Sequence, residues 1–272
     1  MYIQIQPGVD SFASLAKLEL CIKDVISWCT INALLCNPDK TEVIHFFSPF
    51  SRSETIRDIV INGTPVTPVH SVRNLGVVLD KHLNISSHIN NICKSASLAI
   101  RNIGRIRRYL NQADTERLVH AFVTSKLGSC NSLLYGVASS QIDKLQRIQN
   151  TAARLVIRSK KFTHITPVLR DLHWLPVKNR IIFKILLLTY KALKGIAPSY
   201  LSDLISGYTP PRRLRTRNKH LLTIPKCRTK TYGERAFSVA GPKLWNSLPE
   251  TVKNAEGLAS FKTKIKSLLF NT

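Results

Sequence analysis

Acid is what this chain has least of. Sixteen Asp and Glu stand against forty Lys and Arg, and no two of the acids are adjacent. Polymerisation by two metals needs closely placed carboxylates to hold the ions about 3.5–4 Å apart, and no such pair can be read here. The acids present suit other work. Asp39 follows a turn proline, while Asp114 and Glu116 fall in a helix's first turn, where negative charge is favoured. A Gly-x-x-x-x-Gly-Lys loop, a Gly-x-Ser-x-Gly elbow and a His-Glu-x-x-His pair are all missing. Six cysteines occur with neither C-x-x-C nor zinc spacing, so they read as reduced, mostly buried thiols of an intracellular protein. His164 and His173 lie nine apart around a proline and read as satisfied structural histidines rather than metal ligands. The longest apolar run, Ile181 to Tyr190, is too short to span a bilayer and contains Lys184. No apolar leader core follows Met1. The expectation is a soluble intracellular protein, of nucleus or cytoplasm, with no independent active site, cofactor or metal of its own.

What is there is positive charge, and it is uneven. Residues 1–80 carry six basic and eight acidic side chains, a net of −2, while residues 81–272 carry 34 basic and eight acidic, a net of +26. Charge of that size on about 190 residues repels itself unless a polyanion is met. Nucleic acid is the leading partner, because neutralised phosphates release counterions. A membrane surface fits less well, since the charge is not one short cluster. Hydrophobic residues make up 44% of the chain, enough for one sizeable core or two modest ones.

The first 80 residues read as mixed α and β. Tyr2, Ile3 and Ile5 alternate like a strand that begins abruptly. Ser11 opens an amphipathic helix with Leu15, Leu18, Cys21, Ile22, Val25, Ile26 and Trp28 on its apolar side. After the Asn37-Pro38-Asp39 turn, Thr41 to Phe47 reads as a strand. Ile56–Ile61 and Val66–Val69 flank Asn62-Gly63, a hairpin signal. Leu75 to Leu79 reads as a further short strand.

Beyond residue 81 the period becomes helical. Ile85, Ile89, Ile92, Ala96, Ala99, Ile103 and Ile106 step by fours and threes and share one face. Lys94, Arg101, Arg105 and Arg108 fall on the opposite face. A second helix is expected at about 113–127. A third, about 140–159, has Ile142, Leu145, Ile148, Ala152, Leu155 and Val156 inside and Lys144, Arg147, Arg154 and Arg158 on another side. A charged stripe is usually a solvated face, but such faces mix signs, and these hold almost no acid. Further helices are expected at about 177–194, ended by Gly195 and Pro198, and near 199–205, 234–246 and 257–269. Between Leu204 and Gly233 there is no acid at all. Arg212, Arg213, Arg215 and Arg217 cluster there, with Tyr208 and Tyr232 at the flanks and Pro210, Pro211 and Pro225 breaking it into loop and short strand. The run suits a groove that tracks a nucleic-acid backbone while bases stack on aromatics. An arm that is merely basic is equally compatible.

Several strings, taken together, resemble the C-terminal part of reverse transcriptases from LINE-type, non-LTR retrotransposons of the Jockey, CR1 and L2 kind. They are WCTINALLCNPDKTEVIHF from Trp28, VRNLGVVLD from Val72, LGSCNSLLYG from Leu127, LQRIQNTAARLV from Leu145, HITPVLRDLHWLPVKNRIIFKILLLTYKAL from His164, APSYLSDLI from Ala197 and RAFSVAGPKLWNSLP from Arg235. Their order and spacing, nearly end to end, carry the resemblance. It implies an α+β fold: part of a right-hand polymerase palm, a helix plus short antiparallel strands, followed by a mainly α-helical thumb and C-terminal region. The implied divisions are 1–80 palm, 81–160 thumb and 161–272 basic C-terminal region. It also implies that the family's metal-binding aspartates would precede Met1, so that this chain lacks the fingers and catalytic palm, and the palm's sheet would keep an open edge. Lys40 matches a lysine near the incoming triphosphate, and Leu75-Gly76 the hairpin called the primer grip, where glycine lets backbone approach the primer. Magnesium belongs to the parent enzyme. The implied function is holding an RNA/DNA template–primer duplex through phosphate contacts, without polymerisation by this chain alone. A basic nucleic-acid-binding module domesticated from such an element, or a non-functional remnant, are the alternatives.

Overall fold

The computed structural model describes residues 11–48, 58–61, 63–160, 162–209 and 220–271. The fold is mixed α+β and mostly helical, with two small antiparallel sheets among the described residues. It divides between His88 and Ile89 into two compact units.

The first unit opens on helix α1 (Ser11–Ile31). Leu15 is buried, and Leu18, Ile22 and Ile26 lean with it on Ile59 and Ile61. The expected apolar side was broader. Cys21, Val25 and Trp28 are in fact partly or largely solvent-facing, Trp28 at 60% exposure. The segment is apolar almost all the way round, so spacing alone did not choose a face. Ala33 ends the helix with φ +57°, and Leu34 N donates to Cys29 O across the last turn. That arrangement normally uses glycine.

Strands β1 (Ile59–Ile61) and β2 (Thr64–Val66) pair antiparallel, with Gly63 at φ +81° in the turn. The Asn62-Gly63 hairpin signal was therefore sound, though β2 begins two residues earlier than the expected Val66–Val69 and ends at Val66. Thr41 to Phe47 does not form a strand. It makes one parallel bridge, Ile44 to Val69, with Val69 N donating to Val43 O, and Phe47 N donates to Lys81 O. The expected strand at Tyr2–Ile5 lies outside the described residues.

Strands β3 (Ser71–Asn74) and β4 (Val77–Asp80) form the second hairpin. Leu75 and Gly76, expected as strand, are its two-residue turn, with φ of +47° and +84°. Positive φ at both central positions matches the twist of the flanking strands and usually recruits Asn-Gly. Leucine there is strained by about 1–2 kcal/mol.

The turn after β4 is held by one carboxylate. Asp80 Oδ1 accepts from the His82 and Asn84 amides, and Oδ2 accepts from the Ile85 amide at 2.8 Å. These bonds oppose the strain of Leu83 and Ile85, both at positive φ. Asn84 then caps the Ser86 amide and α2 (Ser86–Ile106) begins.

The second unit is helical. After α2, a 3₁₀ turn (Arg107–Tyr109) leads to α3 (Gln112–Val119), whose Asn111 cap accepts from the Asp114 amide. A π-helical stretch (His120–Thr124) joins α3 to α4 (Ser125–Gly128), so the expected second helix is real but wound differently in its middle. A 3₁₀ turn (Asn131–Leu134) precedes α5 (Ser139–Ile157) and α6 (Ile165–Asp171). Helix α7 (Val177–Leu193) follows, then α8 (Ser199–Ser202), α9 (Phe237–Asn246), α10 (Glu250–Lys253) and α11 (Leu258–Asn271).

Helix α7 is the hub. It packs on α5, α9 and α11, and buries Val177, Ile181, Ile185, Leu186, Leu187, Tyr190 and Ala192. Tyr190 stacks on Phe261 at 4.2 Å between ring centres, and Trp245 also stacks on Phe261, at 5.9 Å. Gly241 of α9 meets α7 closely: a Cβ there would stand 2.8 Å from Thr189 Oγ1. Gln149 of α5 is buried yet satisfied, its Nε2 donating to Leu175 O at 2.8 Å. Helix α5, before position 160, thus packs directly on α6 and α7 after it.

Candidate functional site

The two basic stripes are built differently. On α2, the apolar stripe is buried as far as Ile103 apart from the half-buried Ala99, and Ile106 is solvent-facing. Lys94, Arg101 and Arg105 are exposed on the other side, with no hydrogen-bond or ion-pair partner among the described residues. Arg108 follows in the 3₁₀ turn, its guanidinium 4.6 Å from the centre of its neighbour Tyr109. From Lys94 to Arg105 the charges span about 16 Å of helix axis. No acid occurs in α2.

Of the four basic residues expected on α5, Arg147 alone has no side-chain hydrogen-bond or ion-pair partner among the described residues. Lys144 Nζ donates to Asn90 Oδ1 at 3.2 Å. Arg154 Nη2 donates to Thr163 O at 3.4 Å, and its Nε is buried without a partner. Arg158 leaves the helix with φ +53°, and its Nη2 donates to Arg107 O at 3.1 Å. A helical wheel could not show this, because Arg158 lies past the helix's end.

One cation was missed. Arg107, between the two stripes, is buried. Its Nε and Nη2 donate to Leu155 O and Val156 O at 2.9 and 2.7 Å, and its Nη1 to Leu110 O at 2.7 Å. The guanidinium occupies the free carbonyls at the end of α5, where a cation also suits the helix dipole.

The remaining expected positions are scattered. Lys40 is exposed in a 3₁₀ turn (Pro38–Lys40), held by Asn37 Oδ1, which accepts from the Asp39 amide. Leu75 and Gly76 sit exposed at the hairpin tip of the first unit. Arg212, Arg213, Arg215 and Arg217 lie outside the described residues. The chain on either side of them is paired, with Tyr208 N donating to Leu221 O and Thr223 N to Ser206 O. The cysteines are all free but none is buried, which corrects the expectation of buried thiols: they fall on loops and outer helix faces. His164 and His173 are likewise exposed rather than satisfied core residues. His88 is the buried imidazole. Its Nδ1 accepts from the Val78 amide at 3.5 Å, and burial pulls its pKa below the ordinary value. Among the described residues, no three His, Cys, Asp or Glu side chains are grouped so as to hold a metal ion. No helix among them is long and apolar enough to cross a membrane.

The second unit also holds cavities. One of about 340 Å³ is lined by His120, Asn131, His173, Trp174, Arg180 and Lys184, among others. Its walls come from irregular backbone: His120 opens the π-helical stretch, Asn131 follows Cys130 at φ +49°, and His173 has φ +54°. Trp174 Nε1 donates to Glu116 Oε1 at 3.3 Å, and His120 Nε2 stands 3.4 Å from the same oxygen. Burial alone pulls the Arg180 guanidinium below its ordinary pKa, with no carboxylate opposing it. A larger cavity of about 660 Å³ between α5 and α7 is mixed in charge, with Asp143 and Glu234 facing Lys178, Lys230 and Arg235.

No family model matches the chain, and no curated protein or solved structure is similar enough to count as a relative.

Proposed function

We propose that the chain is part of the RNA-directed DNA polymerase of a LINE-type retrotransposon, contributing template–primer binding rather than chemistry. In this reading the first unit belongs to the palm, and α2 onward to the thumb and the region after it. Support comes from the ordered strings in the sequence and from the net charge of +26 beyond residue 80. The observation that carries the binding role is the α2 stripe: Lys94, Arg101 and Arg105 exposed in a row, unpartnered among the described residues, on a helix without acid. Such a row meets phosphates along a groove, positions the duplex and reads no sequence.

Salt dependence is the test. Each phosphate neutralised adds about 0.9 to the slope of log K against log salt. Replacing Lys94, Arg101, Arg105 and Arg108 by Gln should flatten the slope for an RNA/DNA duplex by about 3–4. Replacing Arg154 and Arg158 should change it by less, since their guanidiniums are already engaged with backbone carbonyls. An unchanged slope in the α2 variant returns that stripe to a solvated face. In primer extension, the chain alone should bind the duplex and incorporate no dNTP; robust incorporation would overturn the non-catalytic role.

A further inference from the structure

The cavity of about 340 Å³ in the second unit has features that the duplex-binding role does not use. Its charge is of one sign. Arg180 and Lys184, one turn apart on α7, and Lys266 of α11 all line it, with His120 and His173, and no carboxylate does. Two further cavities of the second unit each include at least one acid. Glu116 stands behind the wall, where it holds the Trp174 indole and His120.

Two polar groups here are left without work. The Arg180 guanidinium has no hydrogen-bond partner among the described residues, and Gly128 lies against it, where a Cβ would come within 3.9 Å of Nη2. Asn131 is 95% buried. Its Nδ2 donates to Arg180 O at 3.5 Å, which orients the amide, and its Oδ1 is buried with no partner. A buried acceptor without a donor costs stability unless something binds there. Trp174, Leu175 and Phe183 add an apolar wall.

We propose that this cavity binds a phosphomonoester carried on a small organic body. Three permanent cations suit a dianion, and a planar guanidinium suits phosphoryl oxygens. The apolar wall suits an organic body, and the unpartnered Asn131 Oδ1 can accept from a hydroxyl or N–H on it, which AMP, glucose 6-phosphate and O-phosphotyrosine carry and phenyl phosphate does not. The volume agrees: a cavity of about 340 Å³ lies at the small end of ligand pockets, roughly 300–1,000 Å³, and is larger than inorganic phosphate fills. The inference is independent of duplex binding, whose stripe residues do not line this cavity.

Isothermal titration of the full chain tests it, with phenyl phosphate, inorganic phosphate and phenol as probes. Phenyl phosphate should bind at least about tenfold more tightly than either fragment. Arg180→Gln should weaken it by about tenfold, Lys266→Gln by severalfold, and Lys262→Gln, outside the cavity, should leave it unchanged. Lys266 is exposed, so its variant keeps the test decisive if Arg180→Gln misfolds. AMP, glucose 6-phosphate and O-phosphotyrosine then sort the organic body; preferential binding of any one supports the site and names its class. Equal binding of phenyl phosphate and inorganic phosphate, or binding indifferent to both substitutions, would show general surface charge and overturn the proposal. So would no binding of any phosphomonoester at millimolar concentration.

Discussion

Helices α1 and α2 are each 21 residues long, and they use their hydrophobic residues in opposite ways. In α2 most apolar residues form one stripe, on which Ile89 and Ala96 are wholly buried, while Leu98 stands outside it in solvent. In α1 apolar residues lie all round. Only Leu15 is buried among its residues with described side chains, while Leu20, Trp28 and Ile31 face solvent at 60% exposure or more. A segregated pattern makes burial and charge display two sides of one decision. An unsegregated pattern leaves a helix whose outer face has no assigned task.

The sharpest test of this contrast lies in the core of the second unit. Phe261→Ala removes a fully buried ring that stacks with Tyr190 and Trp245 and should cost about 3–5 kcal/mol in urea unfolding. A loss below about 1 kcal/mol would mean that this core relaxes as freely as a surface. Next in size is Arg107→Ala. It leaves the Leu155 and Val156 carbonyls without donors and should cost about 2–3 kcal/mol. Arg107→Lys should recover part of that, because a single ammonium cannot reproduce the fork. Trp28→Ala, on the outer face of α1, should stay within about 0.5 kcal/mol. A larger loss would show that this face is covered in solution, and would bring α1 closer to α2.

The sequence made some of this plain. The spacing in α2 and α5, the stop at Gly195 after α7 and the Asn62-Gly63 hairpin all follow from local rules, and the helices stand where those rules put them. What it hid were departures from those rules. Leucine in a turn that asks for asparagine made Leu75 look like strand. A charged side chain reads as surface, so the inward turn of Arg107 onto the end of α5 had no signal. The cavity gathers residues from positions 120 to 266, with no spacing that could have announced it. Three amides converge on Asp80, a role that no motif around it announced. Such groupings are decided by tertiary packing, which overrides local preference.

The central place of α7 also bears on how the molecule is made. Its partners lie on both sides in sequence, and the last of them, α11, supplies Phe261, Ile265 and Leu269 to the core. Asn179 Nδ2 donates to Leu269 O at 2.6 Å across ninety residues. At about 5–20 residues per second of synthesis, the nascent α7 waits at least several seconds for that partner. Its apolar side stays open meanwhile, so the second unit should need holding by chaperones until α11 emerges, and a ribosome stalled between residues 195 and 257 should leave an aggregation-prone chain.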